Sequence, residues 1–526
     1  MKTSLLLAAV ALLAVPSRAL ETVTLDSPSP LVEVKVMVKN AGSAADEAGK
    51  EGQAALTAES LIEGGFLSHG KLVTKDDLAE LTRSWGSGAY PSASVTKEVT
   101  VFSFTVPREV FARYADEVIK PMFGAPQFDA KELERLRGES LQALTSGLRL
   151  ERIEDFGHVA LDNVIHDGTS YAHPDLGTAK GLAALTRADA EGFYKARYGQ
   201  DSVVVGLSAT DKSFAKKLED ALGALPVKSA AAAPAAAPAA VKGRSVVIVS
   251  LPNAISTGLH AGYPLPLTRR DADYWPLYVA NIWFGTHRDD FSHLYQVLRE
   301  QRGYNYGDYS YIEHFEGRAE NLFPPFNTPR LHQYFSLWAR PVGHQYAAHV
   351  ARALTWELEN FIRSGLTEEQ CALSKNKAKV LYLSLAETNE RMLASRLDDA
   401  FYGLATGYLP GYLKTIDAVT CAQVNAAIKT HLHAENLKYL VVTNAAEAPK
   451  IAEALLSTGP VWGKGPADYQ IDAKDENAQK VYLVPETKLD LLRRDAAWAY
   501  EPLGLSKDAV RIVPVETMFE TAALPK

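Results

Sequence analysis

The sequence predicts an α+β chain built from two duplicated domains, each an antiparallel sheet packed with helices. Three observations carry that prediction. One order of strands and helices occurs twice. Within each copy, apolar residues alternate in the strand segments and recur every three to four residues in the helical ones. An Ala/Pro run separates the copies, and 526 residues exceed what a single core supports.

Residues 1–19 read as a signal peptide. Lys2 supplies a short positive region, Leu5 to Val15 an apolar core too short for a stable anchor, and Ser17-Arg18-Ala19 small residues around a cleavage point. No cysteine follows the apolar run, so lipid attachment there is not expected. The mature chain is expected to be exported, with the periplasm as its simplest destination.

The first domain is assigned to residues 20–227. Val32, Val34, Val36 and Val38 alternate as an opening strand. Gly52 to Gly65 reads as a helix with Ala54, Ala58, Leu61 and Ile62 on one face and the glycine pair as its stop. Val99 to Val106 alternates again, Pro107 starts a helix carrying Phe111, Ala115 and Val118, and Asp129 with Glu132 forms a capping pair for the next. Val203 to Leu207 closes the copy as an apolar strand before an amphipathic helix.

Residues 228–243 form the linker. The Ala/Pro run has no large apolar face to bury, and its prolines keep it extended. The second domain, residues 244–459, repeats the order: Ser245 to Val249 is matched to the opening valine strand, Tyr334 to Ala339 is a strand, and Pro341 precedes a helix carrying Ala347, Val350, Leu354 and Leu358. Thr367 to Gln370 then caps a helix, and Tyr439 to Val442 closes the copy. The repeat is far longer than a solenoid period. Residues 460–526 are a separate extension, charged around Asp472 to Lys480 and apolar at Ile512 to Val515, where a last strand is expected.

Hydrophobic content of 47% excludes a disordered chain, and a net charge of −8 argues against a nucleic-acid partner. No later apolar run is long enough to span a bilayer. The two cysteines, Cys371 and Cys421, form either a disulfide or two buried thiols, and neither has Cys–His metal spacing.

Four stretches in order resemble the insulinase/pitrilysin family of zinc peptidases, which includes the mitochondrial processing peptidases. They are Gly52 to Gly65, Tyr171 to Thr178 before a helix, Leu294 to Tyr306, and Leu366 to Gln370 opening a helix. The resemblance implies two similar domains facing each other as a clam shell around a peptide-sized chamber. Active members carry H-x-x-E-H on the first of these helices. Residues four apart share a helical face, so both imidazoles reach one zinc, and the glutamate deprotonates the metal-bound water. Aligning the flanking glycines places Ala55, Ala58 and Glu59 on the motif positions. None of the 13 histidines lies in H-x-x-E-H or H-E-x-x-H. The equivalent helix of the second copy, Tyr274 to Phe284, lacks histidine too. Glu139 stands on the helix of the distal ligand but reads as a solvated or salt-bridged carboxylate. No metal site and no cofactor are expected in this chain; zinc is expected only in a partner.

The resemblance further implies that an arginine and a tyrosine seven residues apart, here Arg299 and Tyr306, face the bound peptide and the developing oxyanion. Read from spacing alone they are a surface arginine and a sheet-packing tyrosine. Tyr304, Tyr309 and Tyr311 mark an aromatic strand, either core or peptide-binding surface. His287 and His293, six apart, do not share a helical face and read as polar loop residues; His173, His431 and His433 read as structural.

The expected function is therefore a non-catalytic subunit of an exported zinc peptidase. It would contribute peptide binding and part of the chamber to a partner chain of the same family that carries H-x-x-E-H. The alternative from a different class is a stand-alone envelope peptide-binding or scaffold protein. Hydrolysis with unusual ligands is disfavoured, because nothing supplies two imidazoles at metal-ligand spacing.

Overall fold

The first sheet is built from β1 (Glu21–Leu25), β2 (Leu31–Lys39), β5 (Ser92–Val95), β6 (Val99–Pro107) and β7 (Val203–Ser208), in the order β1-β7-β2-β6-β5; β3 (Phe66–Ser68) and β4 (Lys71–Val73) form a separate hairpin. The second sheet joins β8 (Ser245–Ser250), β9 (Thr257–Leu265), β10 (Asp308–Tyr311), β11 (Gln333–Val342), β12 (Lys438–Thr443) and β13 (Val510–Pro514), in the order β10-β11-β9-β12-β8-β13. The computed structural model describes residues 20–150, 152–230, 235–315, 326–463 and 485–525. The expected signal peptide, part of the expected linker and the charged stretch Asp472 to Lys480 lie outside them.

The duplication is visible strand by strand. β2 pairs antiparallel with β6 and β7, and β9 pairs antiparallel with β11 and β12. The outer pairs are parallel, β1 with β7 and β8 with β12, so each sheet has the expected antiparallel centre and a parallel margin. The topology also corrects one match. The valine strand β2 corresponds to β9, and Ser245–Ser250 corresponds to β1. Both counterparts escape a sequence search for a physical reason: β1 is a short, polar ETVTL, and β9 carries His260, Gly262 and Pro264 inside the strand.

The helices repeat in the same order. The main ones in the first half include α1 (Gln53–Glu63), α2 (Ala130–Gln142), α3 (Ile153–Ile165) and α4 (Arg187–Arg197). Their counterparts are α5 (Tyr274–Gly285), α7 (Glu368–Leu385), α8 (Asn389–Tyr402) and α9 (Cys421–His431), with α6 (Ala347–Ser364) preceding α7 and α10 (Pro485–Tyr500) in the extension. Asp129 caps α2 through the N–H groups of Lys131 and Glu132, and Thr367 and Gln370 close a capping box on α7. Cys371 and Cys421, at the starts of α7 and α9, are disulfide-bonded with Cα atoms 5.7 Å apart.

The halves are locked by exchange. α3 leaves the first half to cover the second sheet: Phe156, Ala160, Leu161, Val164 and Ile165 share one buried cluster with Val247, Val249, Tyr334, Leu440 and Val442. α8 leaves the second half to cover the first sheet, where Leu397 is buried with Met37, Val99, Val101 and Val204. Glycine permits the close approach. A Cβ on Gly157 of α3 would lie 2.1 Å from His260 Nε2, and one on Gly258 of β9 would lie 2.5 Å from Ile153 Cγ2. Each fully buried Leu, Ile, Val or Phe contributes about 1.5–3 kcal/mol, so either exchange is worth several such terms.

The extension ties both halves together. β13 pairs parallel with β8, as expected for its apolar run. Beyond it Val515, Met518 and Phe519 enter the first core, and Phe519 lies 5.7 Å from Phe156, centroid to centroid. Arg149 donates to Met518 O at 2.8 Å, and Ala179 N–H donates to Phe519 O at 2.9 Å. No helix among the described residues is long and apolar enough to cross a membrane.

Candidate functional site

Two places carry the residues singled out by the sequence, and α1 is the first. The Asp46 carboxylate caps this helix from outside, accepting the N–H of Gly52 and of Ala54 at 2.7 Å each. Gly52 has φ 110°, a conformation that suits glycine, and Gly64 ends the helix by donating to Ser60 O. Ala54, Ala58, Leu61 and Ile62 are buried as the apolar face requires. Of the three motif positions, Ala58 is buried and Ala55 and Glu59 are half-buried.

The polar side of α1 faces α2, and an arginine organises the space between them. Arg135 hydrogen-bonds Glu63, donates from Nε to Glu132 at 2.7 Å, and donates from Nη1 to both carboxylate oxygens of Glu139 at 2.8 Å. Lys75 adds a second cation on Glu63 at 2.7 Å. Burial raises the Glu59 carboxyl above its ordinary value and Glu63 adds to this, while Arg135 and Lys75 oppose it. Burial, with Glu63 and Glu59 nearby, pushes the Tyr90 hydroxyl up to about 12.

This donor set does not fit a catalytic zinc. Ala55 and Ala58 carry only methyl groups, and both oxygens of the Glu139 carboxylate accept from Arg135 Nη1. Among the described residues no group of three or more His, Cys, Asp or Glu is arranged to hold a metal ion. Glu139 is the salt-bridged carboxylate that the sequence suggests. Arg135 was not anticipated, although its signal was legible: glutamates three before it and four after it (E-L-E-R-L-R-G-E) place it between carboxylates on one helix face.

The second place is the loop bearing Arg299 and Tyr306. A π-helical turn, Tyr295–Glu300, carries Arg299, whose guanidinium lies 4.4 Å from the Tyr295 ring centroid and 3.8 Å from Glu300. Gly303, with φ 61°, reverses the chain and donates to Arg299 O. Asn305 pins the descending arm through Asp308 at 2.8 Å and Arg340 O at 3.1 Å. Burial pushes the Asp308 carboxyl up to about 8. Tyr306 stands at the tip and is 76% exposed, so it is presented to solvent instead of packing on the sheet. Tyr304, Tyr309 and Tyr311 are buried, which settles that aromatic segment as core.

The histidines divide differently from the expectation. His287 lies in the loop as expected, but neither it nor His293 is left to solvent. His287 is buried against Tyr309, Phe315 and Trp338 and hydrogen-bonds Tyr311 Oη at 2.6 Å; His293 stacks on Trp283 and bonds Glu357 at 2.6 Å. Their neighbours come from distant segments, which spacing cannot reveal. His173 is buried with Nδ1 on Pro174 O, while His431 and His433 pair with Asp273 and Glu435.

Residues 184–377 match the family profile described as "Peptidase M16 inactive domain". Over 260 residues the chain is 25% identical to an uncharacterized zinc protease of Mycobacterium tuberculosis, covering 49% of this chain and 55% of that one. It is 22% identical over 364 residues to an uncharacterized zinc protease of Bacillus subtilis, covering 69% and 82%. The chain thus spans about half the length of the mycobacterial relatives it matches. Among solved structures it resembles a peptidase M16 inactive domain from Pseudomonas fluorescens, with TM-score 0.67, 22% identity and coverage of 81% and 95%. It also resembles the first half of the periplasmic protease PqqL from Escherichia coli, with TM-score 0.61, 15% identity and coverage of 85% and 92%. Residues 184–377 are thus similar to the M16 inactive domain, and the described residues share the fold of the M16-like structures they resemble.

Proposed function

We propose that this chain is the non-catalytic subunit of an exported M16-type peptidase. A partner of the same family would supply the zinc and H-x-x-E-H, and this chain would supply Arg299, Tyr306 and part of the peptide chamber. One observation carries the reading: α1 has methyl groups at Ala55 and Ala58 beside an arginine-bound carboxylate cluster, while Tyr306 is held out to solvent by a pinned loop. A phenol and a guanidinium there are suited to donate to a peptide carbonyl. The Cys371–Cys421 disulfide supports an oxidising compartment, in keeping with the periplasm.

The test has two parts. Purified chain is expected to hold no stoichiometric zinc and to cleave nothing alone; chelator-sensitive cleavage by the lone chain would overturn the reading. Co-purification from the native host, with bound chains identified by mass, is expected to recover an H-x-x-E-H relative, and Arg299→Ala is expected to slow peptide turnover by the assembled pair. An observation at the sheet edge favours a second reading. β5 is an edge strand with Ser92 and Ser94 exposed, so an extended peptide could add to the first sheet without any partner. Recovery of bound peptides with no peptidase chain would favour this envelope peptide-binding role.

A further inference from the structure

We propose that α10, in the C-terminal extension, is the brace that sets the position of the Arg299–Tyr306 loop, with Arg302 and Asp495 as positioning residues. This rests on the reading of Arg299 and Tyr306 as the peptide-contacting pair.

The geometry is a grip on both ends of the π-helical turn by adjacent residues of one helix. Downstream, the Arg302 side chain is fully buried, and its Nε donates to Asp495 Oδ1 at 2.8 Å while Nη2 donates to Leu491 O at 3.1 Å. Its guanidinium also lies 4.1 Å from the Trp498 ring centroid and hydrogen-bonds Val297 O, inside the turn that carries Arg299. Upstream, Arg494 Nη1 donates to both oxygens of Glu357 at 2.6 Å, and Glu357 binds His293, two residues before the turn. Burial works against the Glu357 charge, but His293 and Arg494 outweigh it and hold the carboxyl below its ordinary value.

Leu491, Asp495 and Trp498 are buried at helical spacing, so one face of α10 meets the loop. A buried guanidinium is retained only while its partners stay in place, because an unpaired buried charge costs several kcal/mol. The π-turn therefore has one favoured position, defined by a segment nearly 200 residues away in sequence. Arg302 does not touch the peptide in this scheme. It acts through Val297 on the backbone that presents Arg299, and through Gly303 on the arm that presents Tyr306.

The test uses the full chain. Asp495→Asn is expected to speed hydrogen exchange of amides 295–307 at least ten-fold while amides of β9 and β11 keep wild-type rates. Binding of fluorescein-labelled casein peptides is expected to weaken three- to ten-fold, and Asp495→Glu is expected to restore both. Wild-type exchange at 295–307 in Asp495→Asn would overturn the brace. If Asp495→Asn also loosens β9 and β11, Trp498→Phe decides, since it weakens the guanidinium contact without unpairing a charge: unchanged exchange at 295–307 overturns the proposal, and selective speeding supports it. The underlying reading fails separately. Arg299→Ala with undiminished peptide binding would remove the pair's role while leaving the exchange result, and hence the brace, intact.

Discussion

The two exchanged helices do the same topological job with different chemistry. α8 meets the first sheet through packing, with Leu397 in an aliphatic cluster and Leu393 against Gly206; its charged contact, Glu390 with Lys35, is largely exposed at the glutamate end. α3 meets the second sheet through buried polar groups as well. Arg330 pairs bidentately with Asp162 at 2.9 and 2.8 Å, His166 bonds the same carboxylate, and His158 packs edge-on against His260 and Trp338. One joint answers mainly to volume, the other also to ionisation. A duplicated fold can thus keep its topology while its two interfaces diverge in what controls them.

The largest expected effect is at the polar joint. Asp162→Ala leaves Arg330 buried without its partner and should cost about 3–5 kcal/mol, read as a lower urea midpoint. A loss under 1 kcal/mol would show that water replaces the carboxylate and that the two joints are alike. Leu397→Ala at the aliphatic joint should cost about 2–4 kcal/mol, with no dependence on pH between 5 and 8.

Acid should separate the joints further. Burial pushes His260 down to about 3 and holds His158 well below its ordinary value, with His260, His314 and His287 adding to the latter. The unfolded histidines take up protons near pH 6.5, so their contribution is complete above that pH and is lost as pH falls below it, at about 1.4 kcal/mol per pH unit for each, the loss at His260 running down to about pH 3. The Asp162 carboxyl is buried, but Arg330 and His166 hold it well below its ordinary range, so its contribution is lost only below about pH 4. His260→Asn should flatten the slope between pH 4 and 6 by about one proton; an unchanged slope would place the titration elsewhere.

The smallest effect is expected at the arginine-bound carboxylates on α1 and α2. Arg135→Gln removes pairs with Glu132, Glu139 and Glu63 that are partly exposed, so stability should change by less than about 1 kcal/mol in 0.15 M salt. A change above 2 kcal/mol would mean that the network acts as a structural core.

Much of this was legible from the chain because it depends on local pattern. The valine alternation of β2, the glycine-bounded α1, the caps at Asp129 and Thr367 and the Ala/Pro break each follow from neighbours in sequence. That Ala55 and Ala58 offer no metal ligand was legible too, since methyl groups ligate nothing. What could not be read depends on tertiary neighbours. Nothing in the α3 sequence says that its apolar face covers the other half's sheet, and nothing around Arg302 points to Asp495. His287 looks like a loop residue until Trp338 and Phe315 close on it.

Reciprocal covering also changes what the Ala/Pro stretch does. Each half carries the other's lid, and the Phe519 segment is fastened into the core opposite its own sheet. A protease nick near residue 240 should therefore leave two fragments that migrate as one particle and part only in denaturant, whereas either fragment made alone would bare an apolar sheet and be expected to aggregate.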